Sequence, residues 1–317
     1  MRSSPRFTLR SRRTVLIALI FAAACLIVVV LLTGKKEPSY GGYPLSNWVK
    51  LLSDINEQDF GPDCTHDKAP DAIIAIGTNA LPFLVEWLKY EGGPTPVRDA
   101  INRTIEKFPV LERIRSLRDW AWRDTKMVRS QGSHIAFRIL GKIGAPAIPE
   151  LVKVASKNVK DISVQYGAVE GLAGIGVDAL PALLTVVTNK NVQGNVRWVA
   201  ADHIGGFRTN AATTIPALLD VLEEDDPYAA AGAAEALAAI HLDPHRVVPA
   251  IATAALRAEG TKHYFIFALG RFGPEASEAI PALQKIAQSN DRLMSTFAVS
   301  AILKIQTANQ PPNSPSP

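Results

Sequence analysis

The sequence predicts an all-α chain: an α-solenoid of about eight stacked helical hairpins, preceded by one transmembrane helix. Three observations predict it. A hydrophobic column recurs every 32 to 35 residues, a proline opens a second helix in most of those intervals, and residues 14–33 run without a charge. A fixed period of that size marks a repeat architecture, in which one unit cannot bury its apolar face alone and stacking buries a continuous core.

Composition narrows the class. At 47% apolar and 20% charged the chain has the balance of a folded protein, not a disordered one. Aromatics are sparse at 7% and alanine is abundant, which favours close helix–helix packing over a β-sandwich core. The formal charge of +4 divides unevenly, because Arg2, Arg6, Arg10, Arg12 and Arg13 precede every acid. The other 29 basic and 30 acidic side chains nearly cancel, so the basic balance belongs to a tail and nucleic acid is not an expected partner. Cys25 lies in the apolar run and Cys64 in a polar loop; an intramolecular disulfide between them is not expected, and Cys64 reads as an external thiol.

The N-terminal segments come first in order. Residues 1–13 form a basic tail and residues 14–33 the span, TVLIALIFAAACLIVVVLLT, with thirteen Leu, Ile, Val or Phe residues. A helix of that length covers ~30 Å, the thickness of a bilayer's hydrocarbon core. Five arginines before the span face Lys35 and Lys36 after it. The positive-inside rule then puts the N-terminus in the cytoplasm and the rest outside, in the periplasm if there are two membranes. Ala22-Ala23-Ala24 and the Arg12-Arg13 pair resemble cleavage and export signals, but cutting there leaves an apolar mature terminus, so an uncleaved signal anchor is the reading adopted. Residues 34–67 are a linker with an N-terminal capping helix.

The solenoid is expected over residues 68–306. One column reads Ile76, Phe108, Ile143, Ile175, Phe207, Ile240, Phe272, Ile305. Three positions earlier stand Ile73, Ile105, Leu140, Leu172, Ile204, Leu237, Leu269 and Ile302. Four before those come Ala69, Ile101, Ala136, Ala168, Ala200, Ala233, Phe265 and Ala298. Positions i, i+4 and i+7 share one helix face, and an alanine column admits a close neighbour. Second helices are opened by Pro82, Pro149, Pro181, Pro216, Pro249 and Pro281, since the first turn tolerates a missing N–H. Gly77, Gly144, Gly176 and Gly273 follow the column, where a helix C-terminus wants positive φ. The second unit lacks its proline. The last helix, about 292–306, caps the stack, and residues 307–317 form a disordered Pro/Ser-rich tail.

The units IGTNALPFL, IGAPAIPEL, IGVDALPAL and FGPEASEAIPAL resemble HEAT-like repeats, including the phycocyanobilin-lyase type. The opening Tyr40-Gly41-Gly42-Tyr43-Pro44-Leu45-Ser46-Asn47-Trp48-Val49, with Ile76 to Pro82, is similar to bacterial membrane-anchored HEAT repeat domain-containing proteins. The resemblance covers about residues 40–306. It implies a scaffold or adaptor, with enzymes or enzyme chaperones (bilin-lyase-like or glycosylase-like) as the alternative, because this architecture fixes fold more than function.

Candidate sites are few. Asp63-Cys64-Thr65-His66-Asp67 groups four metal-ligand types but lacks the second cluster such sites need, so a polar loop is expected. His241 and His245 flank a turn through Pro244. His203 and His263 read as partly buried packing residues. In Glu223-Glu224-Asp225-Asp226-Pro227 the expectation is an N-cap at Asp226 with proline at the first helical position. Residues 98–129 carry nine basic and five acidic side chains with Trp120 and Trp122, a solvated helix with buried tryptophans. No nucleophile–base pair, HExxH, P-loop or dinucleotide glycine pattern occurs in the sequence, and neither a cofactor nor a metal is expected.

The expected function is therefore a membrane-anchored protein–protein interaction surface for a protein or peptide partner, with residues 14–33 in the lipid bilayer. In HEAT architecture second helices line the concave face. Positions two, three and five after each proline should face the core, Trp87 among them; positions one, four and eight face outward. The candidate partner-binding residues on that ridge are Phe83, Glu86, Tyr90, Lys153 and Lys157, with the first unit favoured because exposed aromatics concentrate at binding hot spots.

Overall fold

A two-residue antiparallel hairpin opens the described part of the fold, β1 (Ser39–Tyr40) against β2 (Tyr43–Pro44). Gly41 and Gly42 make its turn at φ +58° and +82°, a conformation that favours glycine. The flanking tyrosines then clasp Trp48. Tyr40 and Tyr43 meet its ring edge-on at 6.2 and 5.8 Å, and the indole N–H donates to the Tyr40 carbonyl at 3.2 Å. This accounts physically for the aromatic–glycine–glycine–aromatic opening of the segment.

The computed structural model describes residues 36–53, 63–92 and 125–307, with Thr104 and Lys107. It divides into two compact units, Met1–Pro38 and Ser39–Pro317, and everything below concerns the second. The proposed span 14–33, most of the second repeat, and the tail after Thr307 lie outside the described residues.

After α1 (Leu45–Ser53) the helices come in sequential pairs: α2 (Ala69–Ile76) with α3 (Leu81–Leu88), α4 (Thr125–Leu140) with α5 (Ile148–Ser156), and α6 (Ile162–Ile175) with α7 (Leu180–Thr188). The order continues with α8 (Gly194–Gly206) and α9 (Ile215–Leu222), α10 (Pro227–Ile240) and α11 (Pro244–Arg257), α12 (Lys262–Arg271) and α13 (Ile280–Ala287), then α14 (Arg292–Thr307). Short 3₁₀ segments bridge most pairs. First helices pack on first helices of the next unit and second on second, so the fold is an all-α stack of helix pairs resembling a helical-repeat solenoid.

The core follows the repeat columns. Ala69, Ala136, Ala168, Ala200, Ala233, Phe265 and Ala298 are buried, as are Ile73, Leu140, Leu172, Ile204, Leu237 and Leu269, while Ile302 is half-buried. Leu84, Leu151, Leu183, Leu218, Ile251 and Leu283, two residues after each proline, are all fully buried. First helices approach closely: a Cβ on Gly232 of α10 would lie 2.7 Å from the Trp198 Cα of α8.

Two details of register differ from expectation. Ile143 is exposed, and the left-handed glycine of its unit is Gly141 (φ +50°) rather than Gly144. A glycine directly after Leu140 ends α4 one turn early, and the chain continues as the 3₁₀ segment Gly141–Ala147. Pro249, expected to open a helix, lies inside α11, which starts at Pro244. There the preceding helix stops at His241 in the left-handed region (φ +55°). This strained position is held by the next unit, because the imidazole stacks on Phe272 at 4.9 Å and its Nε2 lies 2.8 Å from Glu275 Oε2.

Among the described residues one helical run, Ala69–Leu88, has the length and apolarity to cross a membrane. It turns at Gly77 (φ +58°) into the two helices of the first pair and is partly buried in the core.

Candidate functional site

The ridge on the second helices is more closely packed than the sequence implies. Phe83 and Tyr90 are half-buried, and Phe83 leans on Trp87 at 6.2 Å. Trp87 shares a column with the buried Val154, Val186, Val221, Ala254 and Ile286 but is itself half-buried. Cations from α4 cover both outer rings, Arg129 over Trp87 at 5.3 Å and Lys126 over Tyr90 at 5.7 Å. Glu86 is exposed and paired with Lys89 at 3.2 Å; Lys153 pairs with Glu150 at 2.6 Å; Lys157 is exposed at the end of α5.

Tyr90 sits between two grooves. One, of about 310 Å³, runs past Trp87, Lys126 and Arg129. The other, of about 370 Å³, lies between the first helices α4 and α6 and is lined by Met127, His134, Arg138, Tyr166 and Glu170. Within it Glu170 ties three successive first helices together. Its carboxylate lies 3.6 Å from Arg138 on α4 and 3.1 Å from His203 on α8. The His203 contact, helped by the charges of His134 and Arg138, holds the Glu170 carboxyl below its ordinary range despite partial burial. Burial holds His134 below the usual imidazole range, against the pull of Glu170.

The first-helix face continues as an aromatic band. Trp198 donates its indole N–H to Glu235 at 2.8 Å and stands 6.0 Å from Tyr264. Tyr264 adjoins His263 at 4.0 Å, and Phe267 meets Phe297 at 4.9 Å. Desolvation pushes the Glu235 carboxyl up, and Asp202 adds to it, while Trp198, Arg271 and His263 oppose.

A second feature, missed at the sequence level, is structural. Three residues before the alanine column stand Gln165, Arg197 and Ser295, and each donates to the sixth residue after the preceding proline. Gln165 Nε2 reaches the Ala155 carbonyl at 3.0 Å, Arg197 Nε the Val187 carbonyl at 2.6 Å, and Ser295 Oγ the Ala287 carbonyl at 2.6 Å. Those carbonyls end second helices and have no intrahelical partner. Where the column holds Ala230, the equivalent Leu222 carbonyl is met by Arg257 instead, at 2.6 Å. A polar residue recurring on an otherwise apolar face was the available signal.

Arg197 goes further. Only 1% exposed, it also reaches Glu224 at 2.7 Å and Asp226 at 3.5 Å. Asp226 caps α10 as expected, accepting from the Tyr228 and Ala229 N–H groups. The acidic run at 223–226 is therefore engaged within the fold through Glu224 and Asp226.

The remaining candidates do not assemble into a site. Cys64 is fully buried in the core, not an external thiol, and desolvation pushes it up. No group of three metal-ligating side chains comes together among the described residues. His241 and His245 lie on opposite sides of the turn before α11 and face Glu275 and Glu278 separately. Trp120 and Trp122 fall outside the described residues.

Neither a protein-family model nor a curated protein matches the chain. Crystal structures of engineered proteins align with most of the chain. One, at 19% identity, covers 83% of this chain and 96% of the other, with a TM-score of 0.38. Another, at 17% identity, covers 83% and 98%, with a TM-score of 0.37. Likeness at this level carries no argument about function, and the all-α repeat-like assignment rests on the chain's own packing.

Proposed function

We propose that the chain is a HEAT-type interaction module, anchored in a membrane by residues 14–33, that binds a protein or peptide at the first units of its stack. The observation supporting the binding end is the place of Tyr90, whose half-buried ring is shared by two adjoining grooves. Aromatic side chains and arginine in partly desolvated grooves are the residues enriched at interface hot spots. The apolar, uncharged run at 14–33 and the arginines before it support the anchor and its orientation.

The test uses the full chain in native membranes. A photo-crosslinking residue at position 90 captures a partner, whose binding is then measured for Tyr90→Ala, Phe83→Ala and a control at exposed Thr185. Both aromatic variants are expected to weaken binding by tenfold or more, ~1.4 kcal/mol, with folding retained. Normal binding by both variants would move the site elsewhere. Retention after carbonate washing should require residues 14–33; release of a shortened soluble form would overturn the anchor.

A further inference from the structure

Among the described arginines only Arg197 and Arg129 are not exposed, and the fold treats them differently. Arg197 meets two carboxylates and a carbonyl. Arg129 meets neither: its Nε is buried with no hydrogen-bond partner among the described residues, and the guanidinium lies over the Trp87 ring at 5.3 Å. Of its nitrogens only Nε is buried, which leaves the Nη fork open to the groove of about 310 Å³ between α3 and α4. A partly buried guanidinium has shed water and gained no anion in exchange, so an anion at its open end gains more than it would at a fully solvated charge. Resting on an indole keeps the N–H edge free and holds the fork in place, the form in which arginine takes a carboxylate through two parallel bonds.

The surrounding charges select the anion. Three cations line the groove, Lys89, Lys126 and Arg129, with two acids, Glu86 and Glu91. Glu86 is engaged by Lys89 at 3.2 Å, and neither acid is paired with Arg129. The lining therefore carries a net positive charge of one. A single carboxylate balances it, whereas a phosphomonoester, at about −1.5 to −2, would face the two acids uncompensated. Anionic bilayers are recognised by clusters of about four to eight Lys or Arg, more than this groove holds. Beside the fork, Trp87 and Tyr90 supply the aromatic surface that accompanies arginine at hot spots.

We propose that Arg129 reads an acidic side chain, so that the segment bound at the first units carries Asp or Glu where it enters the groove between α3 and α4. This rests on the reading of Tyr90 as the binding end. Full-length chain in zwitterionic nanodiscs is used to select from a random peptide library, and the retained peptides are expected to be enriched in Asp and Glu. For one such peptide, changing its acid to the amide and Arg129→Met should each weaken binding at least ~10-fold. Both changes together should cost no more than either alone, as for groups in direct contact. Arg129→Met keeps an apolar cover on Trp87 and should melt like the wild type; should it melt lower, the amide peptide decides alone, and a smaller loss there overturns the inference. Arg129→Glu should turn the enrichment toward Lys and Arg. Retained peptides without acidic enrichment, losses that multiply, or no retained peptide also overturn it. Where such peptides are still lost on Tyr90→Ala, the binding end at Tyr90 stands without this inference; peptides indifferent to Tyr90→Ala and Arg129→Met alike remove both. Capture of anionic nanodiscs in place of peptide, abolished by Arg129→Met, makes the ligand a lipid headgroup and overturns the inference as well.

Discussion

Replacing Arg197 should separate two roles that its side chain combines. In Arg197→Ala the Val187 carbonyl at the end of α7 loses a 2.6 Å bond inside the protein, leaving a buried acceptor worth about 1–3 kcal/mol. Glu224 loses a 2.7 Å charge-assisted partner, about 1.5–3 kcal/mol when the bond is protected from water. The two carboxylates are 14% and 28% exposed, so water recovers part of that loss. The expected cost is about 3–4 kcal/mol, the lower part of the range for breaking a buried pair. Arg197→Gln should cost only about 1–2 kcal/mol, because Gln165 shows in the preceding unit that a glutamine reaches the equivalent carbonyl. Urea unfolding followed by far-UV circular dichroism measures both, and hydrogen exchange in α7 to α10 locates the loss, since repeat arrays unfold locally. Equal costs for the two variants would show that the carbonyl bond contributes nothing. Costs below about 1 kcal/mol for both would refute Arg197 as a link between units.

Two further predictions follow from burial and charge. Leu172→Ala and Leu237→Ala, at 0% and 1% exposure, should each cost about 2–5 kcal/mol by leaving a cavity. Thr185→Ala, exposed and bonded only to its own helix at Pro181, should stay within about ±0.5 kcal/mol; equal sensitivity would show the register to be wrong. Glu170 and Glu235 should give pH dependences of opposite sign. The Glu170 carboxyl is depressed in the fold, so its stabilisation is present above the ordinary carboxylate range and lost as pH falls through the folded value. The Glu235 carboxyl is raised, so its contribution is present at low pH and lost as pH rises through the folded value. Glu170→Gln should therefore destabilise at neutral pH and flatten the acid side. Glu235→Gln, which keeps an acceptor for Trp198, should leave the chain at least as stable at neutral pH. Melting temperatures from acid to neutral pH test the pair, and shifts of the same sign would contradict the geometry.

The repeat period, the alanine and leucine columns and five of the six proline-started second helices were legible in the residues alone. The physical reason is that an interior position of a stack is buried by its own hairpin and by neighbours one period away, so burial repeats with the sequence. The N-cap at Asp226 was legible for a similar reason, since its bonds go to residues two and three positions on. Other features needed the tertiary structure. Gly141 rather than Gly144 ends α4, because the stop depends on which residue reaches the left-handed region first. Phe83 and Tyr90 are half-buried, because α4 lays Lys126 and Arg129 across the ridge of α3. Arg197 finds carboxylates 27 and 29 residues away, a pairing no helical spacing encodes. One groove at Tyr90 was decided by the packing of α4 against α6 and the other by that of α3 against α4.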